Sequence, residues 1–427
     1  MHDWIIQLQP FFLKELLNIV GMAKQLIIIG GGAAGVFCAV NAARIDPSLK
    51  VLVLEKSNKL LSKVKVSGGG RCNVTHACFD IPALIKKYPR GGRFVNKTFH
   101  KFFTSDTIQW FEERGVQLHA EADGRMFPVT NDSQTIIDCL LKEATKYKVS
   151  FELNCDVKSI HKSDALFKIQ SSNGVTWHAD SLCIACGGFP KSSMFEWLKV
   201  LGHQINEPVP SLFTFNIPKH PITELMGLSV PNAMVKIAGT KLQEQGPLLI
   251  THWGLSGPVV LRLSAWGARE LATKQYSFSI LVNWLGNIVE QDLRTDWPLY
   301  RDQYSSQKIA NKNPFGLPGR LWNYFLQQSA IVEDTRWAEL KSKEQNKLMQ
   351  LLTAHTFLVQ GKTTFKEEFV TCGGIVTNEV DPQTMESKII PGLYFVGEVL
   401  DVDGVTGGFN FQHAWTSGWI AAQLSKK

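Results

Sequence analysis

The chain has 427 residues, 44% of them hydrophobic, with a mean hydropathy of −0.05 and a formal net charge of +7. That length allows two or three domains with sizeable cores, and the composition excludes a disordered chain. No run of about eighteen apolar residues argues for a membrane span, and eight scattered cysteines exclude a disulfide framework and favour a reducing cytoplasm.

Residues 1–21 read as an N-terminal extension. Pro10 can open a helix there, Leu13, Leu16, Leu17 and Val20 share one face, and Gly21 can close it. It has neither the basic start nor the cleavage pattern of a signal peptide, and Met22 offers a second starting point. The next stretch organises the rest. Leu26–Ile29 is a short β-branched run suited to a strand buried on both faces, and Gly30, Gly32 and Gly35 follow at G-x-G-x-x-G spacing. Gly30 permits a tight turn, Gly32 lets a pyrophosphate approach the backbone, and Gly35 lets helix and strand pack closely. The helix through Ala33, Ala34, Val36 and Ala39 aims its free N–H groups at that phosphate. A second strand, Val51–Leu54, ends in Glu55, twenty residues past Gly35, where a carboxylate can accept from a ribose 2′-hydroxyl. The acid points to FAD or NAD and away from NADP.

Residues 56–105 carry eleven bases against one acid, Asp80, so this segment is +10 and the remainder −3. It lacks a run of about five or six adjacent like charges, so it reads as a solvated face beside a phosphate site and not as a nucleic-acid arm. Within it, Ser67-Gly68-Gly69-Gly70-Arg71-Cys72-Asn73 fits a loop passing close to a ligand. Helical pattern spans Thr104–Arg114 and Ser133–Tyr147. Strands are expected over Val149–Ile160, Ala165–Ile169 and Val175–His178, with Asn173-Gly174 as the hairpin turn between the last two. Ser181–Cys186 is another buried strand, stopping at Gly187-Gly188.

From 206 to 359 the texture changes. Prolines punctuate short strand-like pieces, and helical stretches follow at Gly319–Gln328 and Lys343–Leu358. The tail returns to the opening style, with a glycine-pair turn at Gly373-Gly374, a strand from Gly392 ending in Gly397-Glu398, and Gly407-Gly408 before a last helix. The fold class is therefore α/β. A discontinuous Rossmann-like dinucleotide-binding domain (FAD or NAD), 22–205 with 360–427, carries an insert over 206–359 that is β-rich, then helical.

Several of these stretches together resemble one family. Ser67–Thr75, Thr251-His252-Trp253-Gly254-Leu255-Ser256-Gly257-Pro258, Thr371–Gly374 and Gly392–Gly404 are similar to the bacterial FAD-dependent oxidoreductases grouped as aminoacetone oxidase-like or BaiN-like flavoproteins, from about Lys24 onward. The family usually has Thr where Cys186 stands and Trp where His413 stands. The resemblance implies that Gly30, Gly32 and Gly35 hold the FAD pyrophosphate and Glu55 the adenosine ribose. Gly397 and Glu398 would approach the pyrophosphate or ribityl chain, and Gly407 and Gly408 the flavin pyrimidine ring, with Arg71 and Asn73 as further polar contacts. Ala33, Ala34, Lys56, Lys63, Ser67, Gly68, Gly69, Gly70, Gly187, Gly374, Phe409 and Asn410 complete the cofactor set.

For chemistry beyond the flavin, His252 is a candidate proton-exchange residue or a histidine that structures its turn. Cys183 and Cys186 have C-x-x-C spacing, but residues three apart on a strand point to opposite faces, which argues against a dithiol. No second pair of ligands accompanies them, so no metal is expected. No second glycine fingerprint is visible, so NAD(P)H is at most a transient electron donor. The expected function is flavin-mediated hydride transfer to or from a small molecule, as an oxidase, dehydrogenase or double-bond reductase. A flavin-dependent RNA-modifying enzyme and a non-catalytic flavin sensor are the alternatives.

Overall fold

The computed structural model describes residues 23–163, 166–364 and 370–426; the expected extension and its helix at 1–21 lie outside the described residues. β1 (Gln25–Ile29), α1 (Ala33–Ile45) and β2 (Lys50–Leu54) form the opening unit, with β1 and β2 parallel from Gln25 opposite Lys50 to Ile29 opposite Leu54. β3 (Ser150–Glu152) joins the outer side of β2, and β4 (Ser181–Ile184) joins the other side of β1. Leu26, Ile27 and Ile28 are wholly buried, as a parallel strand covered on both faces requires.

The chain then builds a second sheet. Its strands are β5 (Thr214–Asn216), β6 (Ser229–Ile237), β7 (Gln243–Ile250) and β8 (Gly254–Ser256). After helix α2 (Pro258–Trp266) come β9 (Ser277–Asn283), β10 (His355–Gln360) and β11 (Lys362–Thr363). The spatial order is β10-β9-β6-β7-β8-β5-β11, antiparallel throughout. β12 (Leu393–Phe395) returns to the first sheet beside β4, giving the parallel order β12-β4-β1-β2-β3, and α3 (Phe409–Ala421) follows. One apolar core draws on residues 26–201 and 375–422 with Ala265. A second lies within 213–359 and contains Trp284, Trp297, Trp322 and Trp337.

α3 is pinned to the N-terminal part of the chain. A Cβ at Gly418 would lie 2.7 Å from Ala34 O, so glycine lets α3 and α1 touch at their backbones. Gln412 is fully buried, and its oxygen accepts from Thr75 Oγ1 (2.6 Å) and Thr107 Oγ1 (3.1 Å) while its nitrogen donates to Thr416 Oγ1 (3.0 Å). Both polar atoms of that amide thereby have partners within the protein, which makes the docking specific.

Local readings change in four places. The stretch from 149 to 160 is two strands, β3 in the first sheet and Val157–Ser163 in a separate antiparallel sheet with Leu166–Ser171 and Thr176–Ala179. The helix expected to reach Leu358 stops at Ala354, and β10 begins; His355, Phe357 and Val359 are buried while alternate residues are exposed, a period of two. A helix over Glu290–Gln303 escaped notice because Pro298 sits inside it. Finally, Gly373 and Gly374 are not a turn but lie within a strand, Val370–Ile375, paired with Ile205–Ser211. Their φ values of +124° and +132° leave no room for a Cβ, which at Gly373 would lie 2.6 Å from Glu207 O.

Candidate functional site

The C-terminal ends of β1, β4 and β12 open on one cavity of about 1240 Å³, and residues from both ends of the chain line it. Gly30 starts the floor. Its φ of +113° and a Cβ that would collide with Ala185 O restrict the position to glycine. Gly32, at the N-cap of α1, is different: its backbone is ordinary and an added Cβ would meet no atom within 4 Å. The first N–H groups of α1 have no partner within the helix, and Ala33 and Ala34 line the cavity. Glu55 is held by two backbone donors, Gly31 N–H on Oε2 and Ser57 N–H on Oε1, each at 2.8 Å. Its remaining lone pairs are left for a hydroxyl.

The opposite wall comes from the tail. Glu398 accepts from Thr371 N–H (2.8 Å) and from Lys63 Nζ (2.7 Å), so a residue of the basic segment reaches across to the C-terminal half. Asn410 clamps the loop before α3, accepting from Gly404 N–H (2.8 Å) and donating to Gly404 O (3.0 Å). The Asn73 amide donates to Thr75 O and accepts from Gly408 N–H, both at 2.9 Å. Behind this loop, the buried Asp403 carboxylate is bound by Arg90, whose guanidinium also reaches Ala265 O, and by Ser211 Oγ (3.0 Å). Removing one partner of such a pair costs about 3–5 kcal/mol, so the loop is firmly held.

His413, in the second turn of α3, is 2% exposed and lines the cavity. Its Nε2 is 3.3 Å from Gly397 O. A carbonyl only accepts, so Nε2 carries the proton and Nδ1 is an acceptor, buried and without a partner. Burial pushes this imidazole down to about 4, the Gly397 carbonyl working weakly the other way.

Among the expected cofactor residues, Gly30, Gly32, Ala33, Ala34, Glu55, Lys56, Lys63, Ser67, Gly68, Asn73, Gly187, Gly397, Glu398, Gly407, Gly408 and Asn410 line the cavity. Gly35, Gly69, Gly70, Arg71, Gly374 and Phe409 do not. Gly35 fills the contact of α1 with the Gly30 carbonyl, and Gly374 packs against Val399 O. Arg71 turns to Glu121 (2.6 Å) and lies over the Phe127 ring, 4.0 Å from its centroid. Phe409 is buried beside His76 and gives only its carbonyl to Tyr88 Oη (2.6 Å). His252 is the larger correction: it is exposed, beside Trp253 with ring centroids 4.4 Å apart, and lines no part of the cavity. A turn between two antiparallel strands carries it out toward solvent.

All eight cysteines are free. Burial raises Cys183, and raises Cys72 and Cys186 to about 12, so none of these thiols is a thiolate near neutrality. Among the described residues no group of three or more His, Cys, Asp or Glu is placed to hold a metal ion, and no helix is long and apolar enough to cross a membrane. Sequence reasoning missed the wall formed by Thr214, Ser256, Leu261 and Thr363. Ser256 lay inside a recognised motif, whereas Thr214 and Thr363 carried no signal beyond sitting in short strands.

The cavity fits FAD on two observations, the empty space over Gly32 at a helix N-terminus and the orphaned His413 acceptor, which suits a hydroxyl of the cofactor. Fold and site together define an FAD-dependent oxidoreductase of Rossmann architecture. Residues 24–424 match the family described as HI0933-like protein Rossmann domain, and the chain belongs to that family. It is 33% identical to a "Ribosomal RNA dihydrouridine synthase" of Escherichia coli K12 over 93% of this chain and 96% of that one. It is 27% identical to a "3-dehydro-bile acid delta(4,6)-reductase" of Clostridium scindens over 94% of this chain and 99% of that one. Among solved structures, a variant of E. coli quinol fumarate reductase FrdA shares the fold at a TM-score of 0.50 and 15% identity, over 94% of this chain and 69% of that one.

Gly32→Val separates cofactor loss from misfolding. Because the side chain enters open space in the protein alone, the variant is expected to fold with unchanged circular dichroism yet purify colourless. A fully yellow variant would contradict the placement. The buried histidine gives a pH signature. His413 takes its proton near pH 6.5 when unfolded and near 4 when folded, so between those values the unfolded chain binds more protons. Its contribution is complete above pH 6.5 and is lost as pH falls toward 4. From pH 7 to 5, urea unfolding of His413→Gln should lose about 2 kcal/mol less stability than the wild type. Parallel losses would show that His413 titrates normally.

Proposed function

We propose that this chain is an FAD-dependent reductase that adds hydrogen across the C5–C6 double bond of a uridine in ribosomal RNA. The observation that carries the reading is the match along nearly the whole chain to the E. coli relative, joined by a 30% identical relative of the same name from Haemophilus influenzae. The C. scindens relative is named for reducing double bonds in a ring system that bears a 3-keto group. The two named reactions share one chemistry, saturation of a ring alkene conjugated to a carbonyl.

Bound FAD would supply the hydride, replenished by a reduced nicotinamide such as NADH or NADPH. The protein's part is binding, polarisation and shielding. Gly30, Gly32, Ala33 and Ala34 would present backbone to the pyrophosphate, and Glu55 would take the adenosine ribose. The N-terminal end of α3, entered through Gly407 and Gly408, would favour negative charge on the pyrimidine side of the cofactor. Lys56 and Lys59 line the cavity within the segment of charge +10; that segment, which by pattern alone reads as a solvated face beside a phosphate site, is also compatible with the approach of a polyanion. The free cysteines fit a cytoplasmic location, where ribosomal RNA is found.

A second reading, reduction of a small cyclic enone, is favoured by the C. scindens relative and by the uncharged wall that residues 206–359 give to the cavity. The test supplies purified FAD-loaded protein with NADH or NADPH and ribosomal RNA from cells lacking this gene, followed by nucleoside mass spectrometry. Dihydrouridine forming only with protein and donor is the expected result. RNA left unmodified while an enone is consumed would overturn the RNA reading in favour of the small-molecule one.

A further inference from the structure

The insert gives the cavity a wall of one chemical character, and that wall is built by strand register. In the antiparallel pair β5–β8, Phe215 stands opposite Leu255 and Asn216 opposite Gly254, which sets Thr214 opposite Ser256. In the pair β5–β11, Thr214 stands opposite Thr363. Residues directly opposite across a sheet share a face. Ser256, Thr214 and Thr363 therefore form one row of hydroxyls over three adjacent strands, and all three line the cavity. Their neighbours Phe215 and Leu255 face the other way, wholly buried in the second core.

Thr214 and Ser256 are 2% and 9% exposed, and Thr214 Oγ1 donates to Ser256 Oγ at 2.9 Å. That bond leaves the Ser256 proton for an acceptor in the cavity. Ser256 also stands two residues ahead of Pro258, the first residue of the nine-residue helix α2, whose N-terminal end adds positive polarity on the same side. The other lining residues from this stretch and the strands that follow it are Leu212, Leu261 and Val370, which are apolar, and Thr364, a further hydroxyl; none carries a charge. A wall of hydroxyl and apolar groups without a charge suits a flat, neutral, carbonyl-bearing ring and not an anion.

We propose that the Ser256–Thr214 hydroxyl pair binds the substrate carbonyl conjugated to the double bond being reduced. This rests on the function proposed above. When hydride adds to the alkene carbon remote from the carbonyl, the alkene π pair shifts toward the carbonyl and the carbonyl π pair moves onto oxygen. Ser256 donates to that oxygen as its charge grows, and Thr214 fixes the direction of the donor. A proton from solvent then bonds to the carbon next to the carbonyl, the oxygen's pair re-forms the C=O, and the saturated ring results.

The experiment reduces the FAD-loaded protein anaerobically with NADH or NADPH and follows flavin reoxidation by three acceptors: an unmodified ribosomal RNA transcript, cyclohexenone and dioxygen. Ser256→Ala and Thr214→Val are expected to slow reoxidation by RNA and by cyclohexenone about 100-fold. Dioxygen, which offers no carbonyl, should reoxidise the variants at the wild-type rate. Equal losses with all three acceptors would mean the hydroxyls only support structure, and undiminished rates with cyclohexenone would also overturn the proposal. A wild type reoxidised by cyclohexenone and not by RNA would remove the RNA reading alone, leaving the enone arm to decide the hydroxyl pair. Reoxidation by neither would overturn both.

Discussion

The site depends on one pairing between distant parts of the chain, three residues of β12 hydrogen-bonded in parallel to β4. β4 already pairs with β1, so this short contact carries Gly397, Glu398 and α3 to the place where α1 begins. The closure entropy of so long a loop grows only logarithmically with its length, so a modest set of well-made contacts can hold it. Those contacts are the buried Gln412 network, the backbone approach at Gly418 and the Arg90–Asp403 pair. Each joins residues more than 300 positions apart. Without them the opening unit would be half a binding site.

The same arrangement explains where polarity is placed. On the dinucleotide side, charge is held by backbone and by opposite charge, as at Glu55 and in the Lys63–Glu398 pair. On the insert side, only hydroxyl and apolar groups from residues 206–359 reach the cavity. A charged cofactor can thus be gripped on one wall while a neutral ring is held on the other, and the two requirements do not compete for the same residues.

The fold class was legible because its signals are local and redundant. Gly30, Gly32, Gly35 and Glu55 each answer a separate steric or hydrogen-bonding need of one short unit, and together they leave few alternatives. The β10 strand was not legible, because a helix pattern ran into it without a glycine or proline to mark the change. His252 was misplaced for a related reason: a motif shows that a turn exists, but not which way its side chains point. Gly374 and Arg71 fell near the cavity in sequence yet serve packing and an internal ion pair. Thr214 and Thr363 lie beyond single-sequence reasoning altogether. Their meaning comes from a register between strands that no local pattern encodes.

The central claim is that residues near both termini grip one FAD molecule. Hydrogen–deuterium exchange of the flavin-free protein, before and after adding FAD, tests it most directly. Protection should rise together in the segment from Gly30 to Glu55 and in the segment from Gly397 to Asn410. Protection confined to the first segment, with the second unchanged at saturating FAD, would contradict the account.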